Sequence, residues 1–162
     1  RSDFAKMVVL KLHRNQSYTK PLYASLKKMN EVKIEVYHKK EKVTTTLYVE
    51  QLSECKFRMI DNDFCNPKLT LGTEFETQIN EDKKHEITKI TKESEFITRR
   101  FGLTPNHKES DYRMLGEELT KRGGFWQVDL GSIATVNIPT DFEFDVDQII
   151  KELDLKLVEI TE

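Results

Sequence analysis

The chain has 162 residues, 33% of them charged and 37% hydrophobic, with two Cys, four His and a formal net charge of −2. That length fits one domain or two small ones and is enough for a core without staples. Nine Phe, five Tyr and one Trp supply core mass, so composition excludes global disorder, a disulfide-dense secreted scaffold and a helical membrane protein, which needs ~18 consecutive apolar residues.

Charge is unevenly spread. Residues 1–28 carry Arg1, Lys6, Lys11, Arg14, Lys20, Lys27 and Lys28 against the single acid Asp3, a net of +6, which leaves −8 on residues 29–162. The split predicts two pieces with different jobs. Residues 1–28 lack clear periodicity and read as a basic leader or arm, native or tag-derived. Met7 to Leu10 is too short an apolar stretch for a signal-peptide core. Met29 opens a segment that reads like a natural start feeding a strand. With few cysteines and no spanning run, a reducing, cytoplasmic setting is expected.

Strand signals follow from Val32. Val32, Ile34 and Val36 alternate with Lys33, Glu35 and Tyr37, giving one buried face. A charged turn, His38 to Lys42, leads into the β-branched run Val43 to Val49. Cys55 to Ile60 and Thr73 to Ile79 are further strands, separated by Asp61-Asn62-Asp63 and Asn66-Pro67 in a loop. Residues 86–101 read as one long or bent strand. Short strands at this spacing predict a small β-barrel-like domain over 29–84.

The period then changes. Thr104-Pro105 can start a helix; Tyr112, Leu115 and Leu119, with Met114, share a helical face. Gly123-Gly124 stops that helix through a left-handed cap. Phe125 to Leu130 and Ile133 to Ile138 read as a hairpin about Gly131-Ser132. In it Trp126, Val128 and Leu130 should enter the core with Ala134, Val136 and Ile138, opposite Phe125, Gln127 and Asp129. Asp145 to Gln148 has capping-box spacing ahead of Ile149, Ile150 and Leu153, and Leu157 to Ile160 closes with a strand. The order β-α-β-β-α-β predicts a ferredoxin-like α+β domain over 85–162. The fold class expected for the whole chain is α+β: a small β-barrel-like N-terminal half followed by the ferredoxin-like half.

Three stretches, Leu47-Tyr48-Val49-Glu50, Leu69 to Glu76, and Gly123-Gly124-Phe125-Trp126 through Pro139, resemble a bacterial domain family of unknown function. The resemblance covers about residues 30–160 and leaves 1–28 outside. Its motifs are turn glycines, strand aromatics and a hairpin. It implies a bacterial, intracellular protein and brings no agreed catalytic residues to carry over.

The chemistry legible in the sequence is mostly negative. No H-E-x-x-H, G-x-S-x-G or phosphate-loop pattern occurs. Cys55 and Cys65 lack zinc-ligand spacing; Cys55 reads as a small core residue and Cys65 as a loop thiol without an activating motif. His13, His38, His85 and His107 read as solvated surface residues. Asp61-Asn62-Asp63 begins like a calcium loop but has Cys65 at its fifth position and Pro67 after Asn66, so an Asx-turn is expected. Catalytic, cofactor-binding and metal-binding residues are therefore all assigned as none. Arg99 and Arg100, read at a strand-to-helix junction, are the candidate anion or partner contact. Trp126 is either a core ring or an anchor for a partner.

These readings predict a non-enzymatic, intracellular protein-binding module. Its acidic body is suited to a basic partner, as in an immunity or antitoxin-like protein. Two alternatives are a nucleic-acid binder that uses the basic arm and a small-molecule sensor. Nucleic acid is not expected to bind 29–162, whose negative charge repels phosphate, and no RNA-binding aromatic signature is present.

Overall fold

The structure, a computed structural model, describes residues 30–141 and 145–161. The basic segment 1–28 and Met29 lie outside the described residues. Nine strands and two helices are described: β1 Glu31–His38, β2 Val43–Gln51, β3 Lys56–Met59, β4 Glu74–Ile79, β5 His85–Lys92, β6 Phe96–Gly102, α1 Glu109–Lys121, β7 Phe125–Asp129, β8 Ile133–Pro139, α2 Val146–Glu152 and β9 Val158–Glu159. The chain is thus a mostly β, α+β protein. None of its described helices is long and apolar enough to cross a membrane.

Strands β1 to β5 pair in sequence order, and β5 returns to β1 through a parallel bridge between His85 and Val36, so the sheet closes on itself. Period-two alternation builds its interior. Ile34, Val36, Leu47, Val49, Phe57, Met59, Leu69 and Phe75 form one buried cluster. Phe57 and Phe75 face each other across β3 and β4 with ring centroids 5.9 Å apart, and the His85 ring stands edge-on to Phe57 at 5.3 Å.

The expected domain boundary at 84 moves. β5 is the strand that closes the first sheet, so the first unit runs to Lys92. The expected single strand over 86–101 is two strands in different sheets. Ser94 makes the break: its hydroxyl accepts the Phe96 amide and donates to the Leu71 carbonyl at 2.6 Å. A hydroxyl that satisfies local backbone groups competes with the ladder, and this corner contains neither Gly nor Pro to announce it.

The second sheet has the order β7-β8-β6-β9, with every neighbouring pair antiparallel. Helices α1 and α2 supply Leu115, Leu119, Val146 and Ile149 to a second core with Phe101, Ala134, Val136 and Ile138. α1 begins at Glu109 rather than at Thr104-Pro105, because the 104–107 segment is a turn of its own: the His107 amide donates to the Thr104 carbonyl and the Thr104 amide to His107 Nδ1. Met114, expected on the packed face of α1, is exposed. At the other end Gly123 adopts φ +83°, and the Gly124 amide reaches back to the Leu119 carbonyl, the left-handed stop that the glycine pair predicts. Asp145 caps α2, accepting the amides of Asp147 and Gln148.

The hairpin is shifted by one residue from its expected turn. Leu130 and Gly131 both have positive φ, and the Ser132 amide donates to the Asp129 carbonyl. Leu130 therefore occupies the turn and is exposed rather than in the core. Ala134, Val136 and Ile138 are buried as expected, and Val128 packs against that core. Trp126 is half-buried: its indole lies flat on α1 at Gly116, where a Cβ would stand 1.9 Å from the ring. The opposite face of the hairpin, with Gln127, Thr135 and Asn137, is more deeply buried. Alternation identified the two faces, but both are covered, one by helices and the other by the loop that joins β3 to β4.

Candidate functional site

The covered polar face leads to the seam between the two sheets, where a loop running from β3 to β4 meets β7 and β8. Asp61, Asn62 and Asp63, read from sequence as a surface turn, are all buried. Asn62 is the hub. Its amide nitrogen donates to Asn137 Oδ1 at 2.8 Å, and Asn137 Nδ2 donates back to Asn62 Oδ1 at 2.9 Å. The Asn62 backbone amide donates to Gln127 Oε1, and Gln127 Nε2 returns a bond to the Asn62 carbonyl. The Leu71 amide also donates to Asn62 Oδ1, and Asn137 Nδ2 extends the chain to Thr98 Oγ1 on β6. Gln127 Nε2 is held in addition by both carboxylate oxygens of Asp129 at 2.8 Å. Buried amides avoid a desolvation penalty only when so paired, so this network fixes one relative arrangement of loop and hairpin.

Asp63 continues the seam. Its Oδ1 accepts the Cys65 amide at 3.1 Å, the Asx-turn expected from sequence. Its Oδ2 is buried without a hydrogen bond and lies 3.3 Å from Nε2 of His38, which itself sits 2.6 Å from Thr45 Oγ1. Burial is the main force on both groups. It pushes the Asp63 carboxyl up to about 6, against the lowering influence of the Cys65 amide and Arg100, and it holds His38 below its ordinary value.

Other sequence-selected residues fall differently from expectation. His38 is buried, and His85 is half-buried with Nδ1 2.8 Å from Thr77 Oγ1. His107 lies in the 104–107 turn, and His13 lies outside the described residues. Cys55 is exposed, not a core residue, because it precedes β3 in the turn that links β2 and β3. Cys65 is half-buried, and its thiol is pushed up to about 12, first by burial and then by the charges of Asp63 and Glu41. That keeps the thiol protonated and weakly nucleophilic.

Arg99 and Arg100 do not adjoin a helix N-terminus; they sit inside β6, well before Glu109. Being consecutive in a strand, they point to opposite faces. Arg99 holds Glu159 through two bonds of 2.8 Å and Asp147 through one of 2.9 Å, and these carboxylates raise its guanidinium further above the usual range. Arg100 turns to the seam and donates to the Asp63 carbonyl at 2.7 Å. The pair thus ties β6 to β9 and α2 on one side and to the loop after β3 on the other. From sequence Asn62 reads as part of a turn and Gln127 as facing away from the core, and nothing joins either to Asn137. The only available signal was their polarity within otherwise apolar strands or beside a turn.

A second feature lies at the free edge formed by β9. Val158 is 68% exposed and Ile160 45%. The strand is short: the Ile160 amide still donates to Arg100, and the outer side of β9 has no neighbouring strand among the described residues. The flanking segment exposes Asp145, Asp147, Glu152, Asp154 and Glu159 against Lys151 and Lys156. The edge is therefore apolar at its tip and acidic around it.

An α+β protein with a closed five-stranded sheet and a four-stranded antiparallel sheet is what this geometry defines. No family model matches the chain, and no curated protein matches it. Among solved structures it is similar to a hypothetical protein from Neisseria gonorrhoeae, 15% identical, with a TM-score of 0.53 over 80% of this chain and 89% of that one. At that identity the likeness bears on the fold alone.

Proposed function

We propose that this chain is a non-enzymatic protein-binding module that takes a basic partner protein along the β9 edge, in the manner of an immunity or antitoxin-like protein. The observation that carries the reading is the pairing of an unpartnered edge bearing exposed Val158 and Ile160 with the acidic side chains around it. A sheet edge offers unpaired main-chain donors and acceptors to an added strand, and acidic flanks favour approach of a positively charged partner. The net −8 of residues 29–162 adds a longer-range attraction of the same sign. A nucleic-acid reading draws support only from the +6 on residues 1–28.

The same inference extends to class and setting. A ferredoxin-like arrangement of the second half is supported by the β-α-β-β-α-β order from β6 to β9. A barrel-like first half is supported by its sheet closure. A bacterial, cytoplasmic origin rests on the sequence resemblance and on cysteine usage.

The test is affinity capture from the source cell with the full chain as bait, beside the variant Val158→Lys. The reading expects a stoichiometric basic protein that is released by high salt, is not retained by the variant, and whose own activity the wild-type chain inhibits. Equal retention by the variant, or capture that nuclease treatment abolishes, would sink it.

A further inference from the structure

The His38–Asp63 pair is not needed by an edge-binding reading, and its geometry is unusual. Two titratable groups, both almost fully removed from water, face one another at 3.3 Å, and one carboxylate oxygen has no hydrogen-bond donor. His38 belongs to β1 of the closed sheet, while Asp63 belongs to the loop whose preceding residue, Asn62, holds the hairpin. We propose that His38 and Asp63 form a proton-operated latch that sets how firmly the 60–73 loop, and with it the second sheet, is held against the closed sheet.

The charges around the pair set the direction. From β6, Arg100 faces Asp63 and favours its ionised form; from β7, Asp129 opposes it. From the loop itself, the Cys65 and Asn66 amides favour the carboxylate. From the turn after β1, Glu41 acts on His38 and favours its protonation. With one proton shared by the pair, on Nε2, the carboxylate keeps a full negative charge in a buried site next to Asp129. A second proton, taken from solvent on acidification, leaves the pair neutral overall, either as His⁺ with Asp⁻ or as neutral imidazole with carboxylic acid. Removing net charge from a buried site favours the closed seam. Loss of that proton favours a seam that opens to let water reach Oδ2.

Amide exchange on the full chain tests this. Protection factors corrected for intrinsic exchange are measured at pH 5 and pH 8 for the seam amides of Asn62 and Leu71 and for the Val49 amide inside the closed sheet. The latch expects the seam amides to lose about tenfold more protection than Val49 on going to pH 8. In Asp63→Asn this excess should vanish. Equal changes at seam and closed sheet, or an excess loss of seam protection toward pH 8 that survives in Asp63→Asn, would overturn the proposal. Should that variant not fold, His38→Gln gives a second reading. It should shift the midpoint of the seam's pH dependence, and an unmoved midpoint contradicts the pairing.

Discussion

The interior of the closed sheet and the seam beside it are both buried, yet they are built from opposite chemistry. The first is Phe57, Phe75, Met59 and aliphatic side chains, held by area removed from water and tolerant of small adjustments. The second is Asn62, Gln127, Asn137 and Asp63, held by directed bonds that count only when all are made. Apolar burial stabilises the unit; the polar seam selects one docking geometry between units. A hydrophobic seam would allow the sheets to slide, whereas the reciprocal Asn62–Asn137 amide pair has one register.

Substitutions can break that contrast, beginning with the largest expected effect. Phe75→Ala removes a fully buried ring from the closed sheet and should cost about 4 kcal/mol in denaturant unfolding, as large core truncations do. Asn62→Ala leaves Asn137 Oδ1 and the Leu71 amide unpaired and should cost about 3 kcal/mol, far more than its lost area would imply. Asn62→Leu, of similar size, should not recover it, whereas Phe75→Leu should recover much of the first loss.

The next expectation concerns pH and has the opposite sign. Because the folded carboxyl of Asp63 is raised to about 6, the fold prefers it protonated. Its penalty is present above pH 6 and is relieved as pH falls toward the unfolded value. Asp63→Asn should therefore gain about 2–3 kcal/mol at pH 8 and almost nothing at pH 4. His38, held low, works the other way, since acid stability is lost as pH falls below its unfolded value. The variant, retaining only that group at the pair, should lose stability between pH 7 and 5 relative to its own maximum. Unfolding curves across pH 4–8 for both proteins check the sign.

The smallest expected effect lies on the helix-covered side of the hairpin. Gly116→Ala places a methyl into the Trp126 ring and should cost about 2 kcal/mol despite alanine's better helix propensity. Pairing it with Trp126→Leu should restore part of the loss, because the clash then disappears.

Much of the architecture was legible in the sequence, for reasons that differ by element. Alternation in Val32 to Val36 and Val43 to Val49, the glycine stop at Gly123-Gly124 and the Asp145 cap are local signals that tertiary packing did not override. The break at Ser94 and the late start of α1 were not legible, since a hydroxyl and an imidazole make those turns by bonds that composition does not announce. Gly116 passed unremarked within its helix, although a mid-helix glycine marks a close approach. The seam escaped for a deeper reason. Polar residues on a strand face read as solvent-facing, and only the loop from β3 to β4 folding over them turns Gln127, Thr135 and Asn137 into an interior. Arg99 and Arg100 read from sequence as an anion or partner contact at a helix start; they lie inside β6, and their partners, Glu159, Asp147 and the Asp63 carbonyl, come from distant segments.

The central claim is that the Asn62 network joins the two sheets into one cooperative structure. Unfolding in denaturant, followed together by the fluorescence of the single Trp126 in the second sheet and by exchange protection of the Val49 amide in the first, tests it most directly. The account predicts coincident transitions in the wild-type chain and, in Asn62→Ala, a fluorescence transition at lower denaturant than the loss of Val49 protection. Coincident transitions in the variant as well would contradict it, because the sheets would then be joined by something other than the seam.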